Sequence, residues 1–159
     1  MTQHALSAEP PVFEEWPHPI ILDGFHMQDK KIDKEAQCPS DVYELMRAEM
    51  APLLQEQLHV LLINTKNHII RQSMIYRGTV NSSPIRIAEI LRPAVLAGTP
   101  NIIVVHNHPS GDSTPSPEDI AMTEKLRDAS KLLDITLQDH LVIGSDSFVS
   151  MAQQHLAGF

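Results

Sequence analysis

The sequence predicts an α/β fold, a three-layer α/β/α sandwich around a mixed central sheet. Three observations carry that prediction. Four β-rich apolar runs, Leu58 to Ile63, Ile69 to Met74, Ile102 to Val105 and Ile135 to Ile143, are bounded by turn signals or helical stretches. The helical stretches fall before the first run, between the second and third, and between the third and fourth, so helices are available for both faces of a sheet. A length of 159 residues with 42% hydrophobic content suits one domain with a sizeable core.

Residues 1 to 38 read as an N-terminal arm and 39 to 159 as the domain, because Pro10-Pro11 and Trp16-Pro17-His18-Pro19 break any helical pattern in the arm. Ile20-Ile21-Leu22 before Asp23-Gly24-Phe25 reads either as a short strand and turn or as part of an extended tail. That strand could dock on the body of its own subunit or of a neighbouring one, the second giving an arm-mediated homodimer. His18 and His26 read as solvated.

Pro39-Ser40-Asp41 opens the first helix with Ser40 as cap, and Val42, Leu45, Met46 and Met50 carry it towards Pro52. The Asn64-Thr65-Lys66-Asn67 cluster turns the first strand into its antiparallel partner. Ser83-Pro84 opens the second helix, Pro93 predicts a kink in it, and Gly98 ends it. Ile135 to Ile143 and Phe148-Val149 read as strands around Gly144-Ser145-Asp146-Ser147, with a short helix closing the chain.

The third strand is where chemistry enters. Ile102 to Val105 reads as buried on both faces and leads into His106 and His108, whose i, i+2 spacing points both imidazoles the same way. Pro109 favours extended geometry at His108, then suits position i+1 of a type I turn, with Gly111 at i+3. Ser116 reads as the cap of the next helix, Pro117 as its first residue and Asp119 as N3. Asp119 also precedes a stripe of Met122, Leu126, Ala129 and Leu133, so its carboxylate faces inward. A capping box is one reading of that carboxylate. With the histidines it makes another: two imidazoles and one carboxylate match a catalytic zinc whose fourth position holds water.

Composition excludes several classes. A net charge of −8 without any basic run leaves nucleic acid an unexpected partner. No apolar run approaches a membrane span, and the first thirty residues lack the basic and apolar blocks of a secretory leader. The single cysteine, Cys38, excludes an internal disulfide, fits the cytoplasm, and reads as a packing residue.

His106-x-His108-Pro109, Ser116 and Asp119, with ten residues between His108 and Asp119, resemble the JAMM motif of the JAB/MPN metalloprotease superfamily. His106-Asn107-His108-Pro109-Ser110-Gly111-Asp112, Gly78 to Ser83 and Asp139-His140-Leu141-Val142-Ile143-Gly144 resemble its RadC-type branch, over roughly residues 40 to 157. The resemblance implies the MPN fold, of cytidine deaminase-like architecture, and a peptidase or isopeptidase acting on peptide or protein substrates. It implies zinc on His106, His108 and Asp119, and a hydroxyl from Ser116 for the oxyanion, a role that competes with its capping. The motif glutamate, the general base, falls on Glu56; by parity Glu56 shares a face with Leu58, Val60 and Leu62, and its rival reading is a solvated residue at a helix–strand junction. Glu49 and Glu89 are weaker candidates, both on helices.

Departures matter as well. The family's His-Pro-Arg-Glu stands here as Arg86-Ile87-Ala88-Glu89, so only the glutamate matches, and no helix-hairpin-helix segment is visible. Asp139-His140 matches without a role beyond supporting the site or satisfying a strand end. Two other functions remain open: a nucleic-acid-directed hydrolase linked to DNA repair, and a non-catalytic MPN binding module. The complete ligand set favours the enzyme.

Overall fold

The computed structural model describes residues 28–78 and 85–159. Its elements in order are β1 (Gln28–Glu35), α1 (Pro39–Met50), β2 (Gln57–Ile63), β3 (His68–Arg77), α2 (Ile87–Ala97), β4 (Asn101–Asn107), α3 (Pro117–Leu132), β5 (Thr136–Ile143) and β6 (Phe148–Ser150). One sheet, ordered β1-β3-β2-β4-β5-β6, holds all six strands. Among the described residues only β4 and β5 pair parallel, as the α3 crossover between them requires, so the sheet is mixed.

Side-chain alternation sorts the core into two layers. Leu58, Val60, Leu62, Ile102 and Val104 pack with Ile90, Leu91 and Ala94 of α2 and Leu126 of α3. Leu61, Ile63, Ile103, Val105, Leu141 and Ile143 pack on the opposite face with Val42, Tyr43, Met46 and Met50 of α1. The three-layer α/β/α sandwich is therefore observed.

Local signals act as expected in the hairpin, where Asn64 Oδ1 accepts from the amides of Lys66 and His68 at 2.9 and 3.1 Å, and Asn67 takes φ 59°. Gly98 caps α2 in the left-handed conformation at φ 61°, and Pro93 lies inside the helix. The start assigned to α2 at Ser83-Pro84, and the arm's Ile20 to Phe25, fall outside the described residues.

Other expectations need correcting. Residues 28–35 join the body as an edge strand on β3 rather than trailing as an arm. Cys38, not Ser40, caps α1, where the Asp41 carboxylate accepts from the amides of Gln37 and Cys38 at 2.8 and 3.0 Å; that places the Cys38 residue at the surface rather than in the core. Leu133 lies past the end of α3 and is 52% exposed. The chain closes in successive turns, with positive φ at His155, Ala157 and Gly158 that no helix accommodates.

Candidate metal centre

His106 lies on β4 with the parity of Ile102 and Val104, so its imidazole faces the α2/α3 layer. Extended pairing continues one residue past the strand, as the amide of His108 donates to Ile143 O at 2.9 Å, and this keeps His108 on the same face. The expected turn follows: Gly111 N donates to His108 O at 3.0 Å. Gly144 packs against that turn so closely that a Cβ there would collide with Gly111 O.

The helix after the turn delivers the carboxylate. Ser116 Oγ accepts from the Asp119 amide at 3.1 Å, and Asp119 Oδ2 accepts from Ser116 N at 2.8 Å and Ser116 Oγ at 2.7 Å, a complete capping box. That box does not exclude Asp119 from the histidine cluster. His108 Nε2 lies 3.2 Å from Oδ2, His106 Nε2 lies 3.3 Å from Oδ1, and the two Nε2 atoms are 3.0 Å apart. Asp119 thus completes the capping box and also faces both histidines, and Ser116 is committed to the cap and to Asp119.

These separations suit an ion. Four ligands arranged tetrahedrally at about 2.0–2.1 Å stand about 3.3 Å from one another. Asp112 O accepts from His108 Nδ1 at 2.8 Å, because a carbonyl carries no proton of its own, and neutral His108 then presents a lone pair at Nε2. Among the described residues, Asp119 Oδ2 meets Ser116 N, Ser116 Oγ and His108 while Oδ1 meets His106, which leaves Oδ1 the freer oxygen. His106 is 1% exposed, whereas the His108 and Asp119 side chains are 18% and 15% exposed, so the cluster is open on one side.

Electrostatics agree with an electron-rich site. Burial opposes ionisation of Asp119, but the two imidazoles that face it, with Ser116, favour the carboxylate and hold the carboxyl well below the usual carboxylate range. Asp119 in turn favours a proton on His108 Nε2, which a metal ion would displace, and raises the imidazole above its ordinary value against burial.

Glu56 sits just before β2. Leu58 pairs with His106, and carrying that register two residues further brings Glu56 opposite His108 on the same face. Its charge is one of those that raise His108. Asn107, between the two histidines, holds this segment from the other face: its Oδ1 accepts from Gln57 N at 2.8 Å and its Nδ2 donates to Gln55 O at 3.2 Å. Glu49 lies elsewhere, bonded to Gln72, and Glu89 pairs with Arg86 at 3.7 Å.

Two more residues adjoin the cluster: His140, which the sequence offered only as support for the site or a satisfied strand end, and Thr123, which it did not single out. His140 Nε2 lies 2.7 Å from His106 Nδ1, and Thr123 Oγ1 lies 2.6 Å from both His140 Nδ1 and Asp119 O. Thr123 stands four residues after Asp119, so the helical period was an available signal. Asp139 has a separate task, its carboxylate accepting from Ser150 Oγ at 2.6 Å and Ala152 N at 3.0 Å.

A family model described as "RadC-like JAB domain" matches residues 36–156. The chain belongs to the RadC-like JAB family. Among curated relatives it is 49% identical over 119 residues to a UPF0758 protein of Roseiflexus castenholzii, 75% of this chain and 51% of that protein. It is 46% identical over 116 residues to one of Staphylococcus haemolyticus, 73% of this chain and 51% of that one. The chain thus spans about half the length of the curated relatives it matches. In this RadC-like JAB domain, the half-buried His106-His108-Asp119 group has the composition and spacing to hold a metal ion. No helix among the described residues is long and apolar enough to cross a membrane.

Proposed function

We propose that this RadC-like JAB domain is a JAMM-type metallohydrolase that uses zinc to cleave peptide or isopeptide bonds in protein substrates. The observation that carries the reading is the convergence of His106 Nε2, His108 Nε2 and Asp119 oxygens at 3.0–3.3 Å, open on one side, with Glu56 placed opposite His108 by strand register. Zinc bound there would act as a Lewis acid on the carbonyl and lower the pKa of water towards neutrality.

The chain's own residues do the rest. Glu56 takes a proton from the attacking water and passes it to the leaving amine, work that a positioned carboxylate accelerates typically by about 10²–10⁴-fold. Asn107 fixes the Gln55–Gln57 backbone to the strand that carries both histidines, so base and ligands move together. The start of α3 presents a favourable field to the developing oxyanion, and Ser116 can turn its hydroxyl towards it on releasing Asp119 Oδ2. Asp41 and Cys38 play no part in this site, and a lone exposed thiol suits a cytoplasmic setting.

The test is a panel of peptide and isopeptide substrates given to the zinc-loaded and chelator-stripped protein. Cleavage that requires zinc supports the reading. Zinc binding without cleavage of any substrate would favour the binding-module alternative. The nucleic-acid alternative draws little support, since Arg86, the basic residue that replaces the family's histidine, pairs with Glu89.

A further inference from the structure

A metal-binding imidazole must present a lone pair, and which of its nitrogens does so is set by the hydrogen bond the other makes. For His108 that bond ends on Asp112 O. For His106 it ends on another ring, which by itself decides nothing, because either nitrogen of a pair can carry the proton.

The chain of bonds beyond His140 settles the direction. Asp119 O can only accept, so Thr123 spends its one proton on it, at 2.6 Å. Thr123 Oγ1 must then accept from His140 Nδ1, also at 2.6 Å. His140 is wholly buried, and its partners are one hydroxyl and one imidazole, so it is neutral and its Nε2 carries a lone pair. His106 Nδ1 therefore donates to His140 Nε2 at 2.7 Å, and His106 Nε2 is left bare where Asp119 Oδ1 and His108 Nε2 converge.

We infer that His140, oriented by Thr123, is a positioning residue that fixes the tautomer and ring orientation of His106 and so prepares its Nε2 for the metal. The inference rests on the metal-centre reading. The relay starts at the backbone carbonyl of Asp119, itself a ligand, so seating α3 sets the state of His106 as well as delivering the carboxylate. A register shift between Ile102/Leu137 and Ile103/Asp139 makes this geometry available. It breaks the alternation of β5 at Gln138, turning His140 to the face of Leu137 and His106 and leaving Asp139 on the other.

The experiment uses the full chain and zinc alone as probe. Zinc affinity would be measured by competition with a chromophoric chelator in His140→Leu, His140→Gln, Thr123→Val and Thr123→Ser. Nitrogen–proton correlation spectra of the metal-free protein would report which ring nitrogen of His106 is protonated. His140→Leu should weaken zinc by about 10- to 100-fold, the usual loss when a ligand's outer partner is removed. His140→Gln, whose carbonyl reaches the position of Nε2, should recover most of that loss. Thr123→Val should weaken zinc less than His140→Leu and let His106 sample the Nε2-protonated form, and Thr123→Ser should restore both.

Metal-free wild type showing His106 protonated at Nε2 would overturn the inference. So would wild-type affinity in both His140→Leu and Thr123→Val. Failure of the wild type itself to bind zinc, with the His106 proton found on Nδ1, would instead overturn the metal assignment and leave the relay standing. Should His140→Leu fail to fold, the Thr123 pair and the spectra still decide.

Discussion

The sheet carries a buried polar cluster with histidine in it on each face, and the two differ in how their hydrogen bonds end. On the α1 face His59, paired with Val105, has Nε2 2.9 Å from the Gln57 amide and Nδ1 3.0 Å from Gln72 Nε2, which also donates to Glu49 Oε1 at 3.0 Å. Every ring nitrogen there has a neutral partner, and the chain runs out to Glu49 at the surface, beside Lys30 at 3.9 Å. On the α2/α3 face the bonds begin at backbone carbonyls and end on two imidazole nitrogens and a carboxylate that point at one another. A satisfied histidine closes its network; a ligand histidine leaves its network one cation short. Burial does not distinguish them, since His59 and His106 are 2% and 1% exposed.

Substitution of a ligand gives the largest contrast. His108→Ala should lower zinc affinity by more than the roughly 100-fold that loss of an outer partner costs, whereas His59→Gln should leave it unchanged. Chelator competition on both variants checks this. Equal losses would break the comparison.

Next in size is the base. Glu56→Gln keeps shape and removes basicity, so turnover should fall by about 10²–10⁴-fold with zinc content intact. Elemental analysis beside the substrate panel separates the outcomes: lost zinc would make Glu56 a ligand, and full activity would remove it from the mechanism.

The opposite face should show itself in acid. Burial depresses His59 from 6.5 to about 4, with Arg77 adding to the effect and Glu49 opposing it. Because the folded value lies below the unfolded one, its contribution is fully present above pH 6.5 and is lost as pH falls towards 4, an effect of up to about 3 kcal/mol. Urea unfolding of metal-free protein at several pH values should give a steeper decline over that window for wild type than for His59→Gln. Parallel curves would show that His59 is not held neutral.

The smallest expected effect is on DNA. With a net charge of −8, binding should be about 10⁻⁴ M or weaker at physiological salt, and Arg86→Ala should not alter it. A titration at two salt concentrations checks both; micromolar affinity that depends on Arg86 would revive the nucleic-acid reading.

How much of this was legible in sequence follows from the range of the rules involved. The i, i+2 histidines, the His108–Gly111 turn and the Ser116–Asp119 cap are set by residues a few positions apart, and all three form as expected. β1 was invisible because Gln-Asp-Lys-Lys-Ile-Asp-Lys-Glu carries one apolar residue. Its pairing is made by backbone and by contacts such as Ser73 Oγ to Asp29 Oδ1 at 2.6 Å, as suits a charged edge strand. For His140 the sequence left site support and a satisfied strand end undecided, because counting by two along β5 assigns it to the wrong face. Only the irregular register at Gln138, a property of the pair β4 and β5, reverses that assignment.

The difference between the two faces is tested most directly by anomalous diffraction from crystals grown with zinc. One zinc per chain should appear, bonded to His106 Nε2, His108 Nε2 and Asp119 Oδ1 at about 2.0–2.2 Å. A fully occupied zinc on the His59–Glu49 side, or well-ordered His106, His108 and Asp119 side chains with no zinc between them, would contradict it.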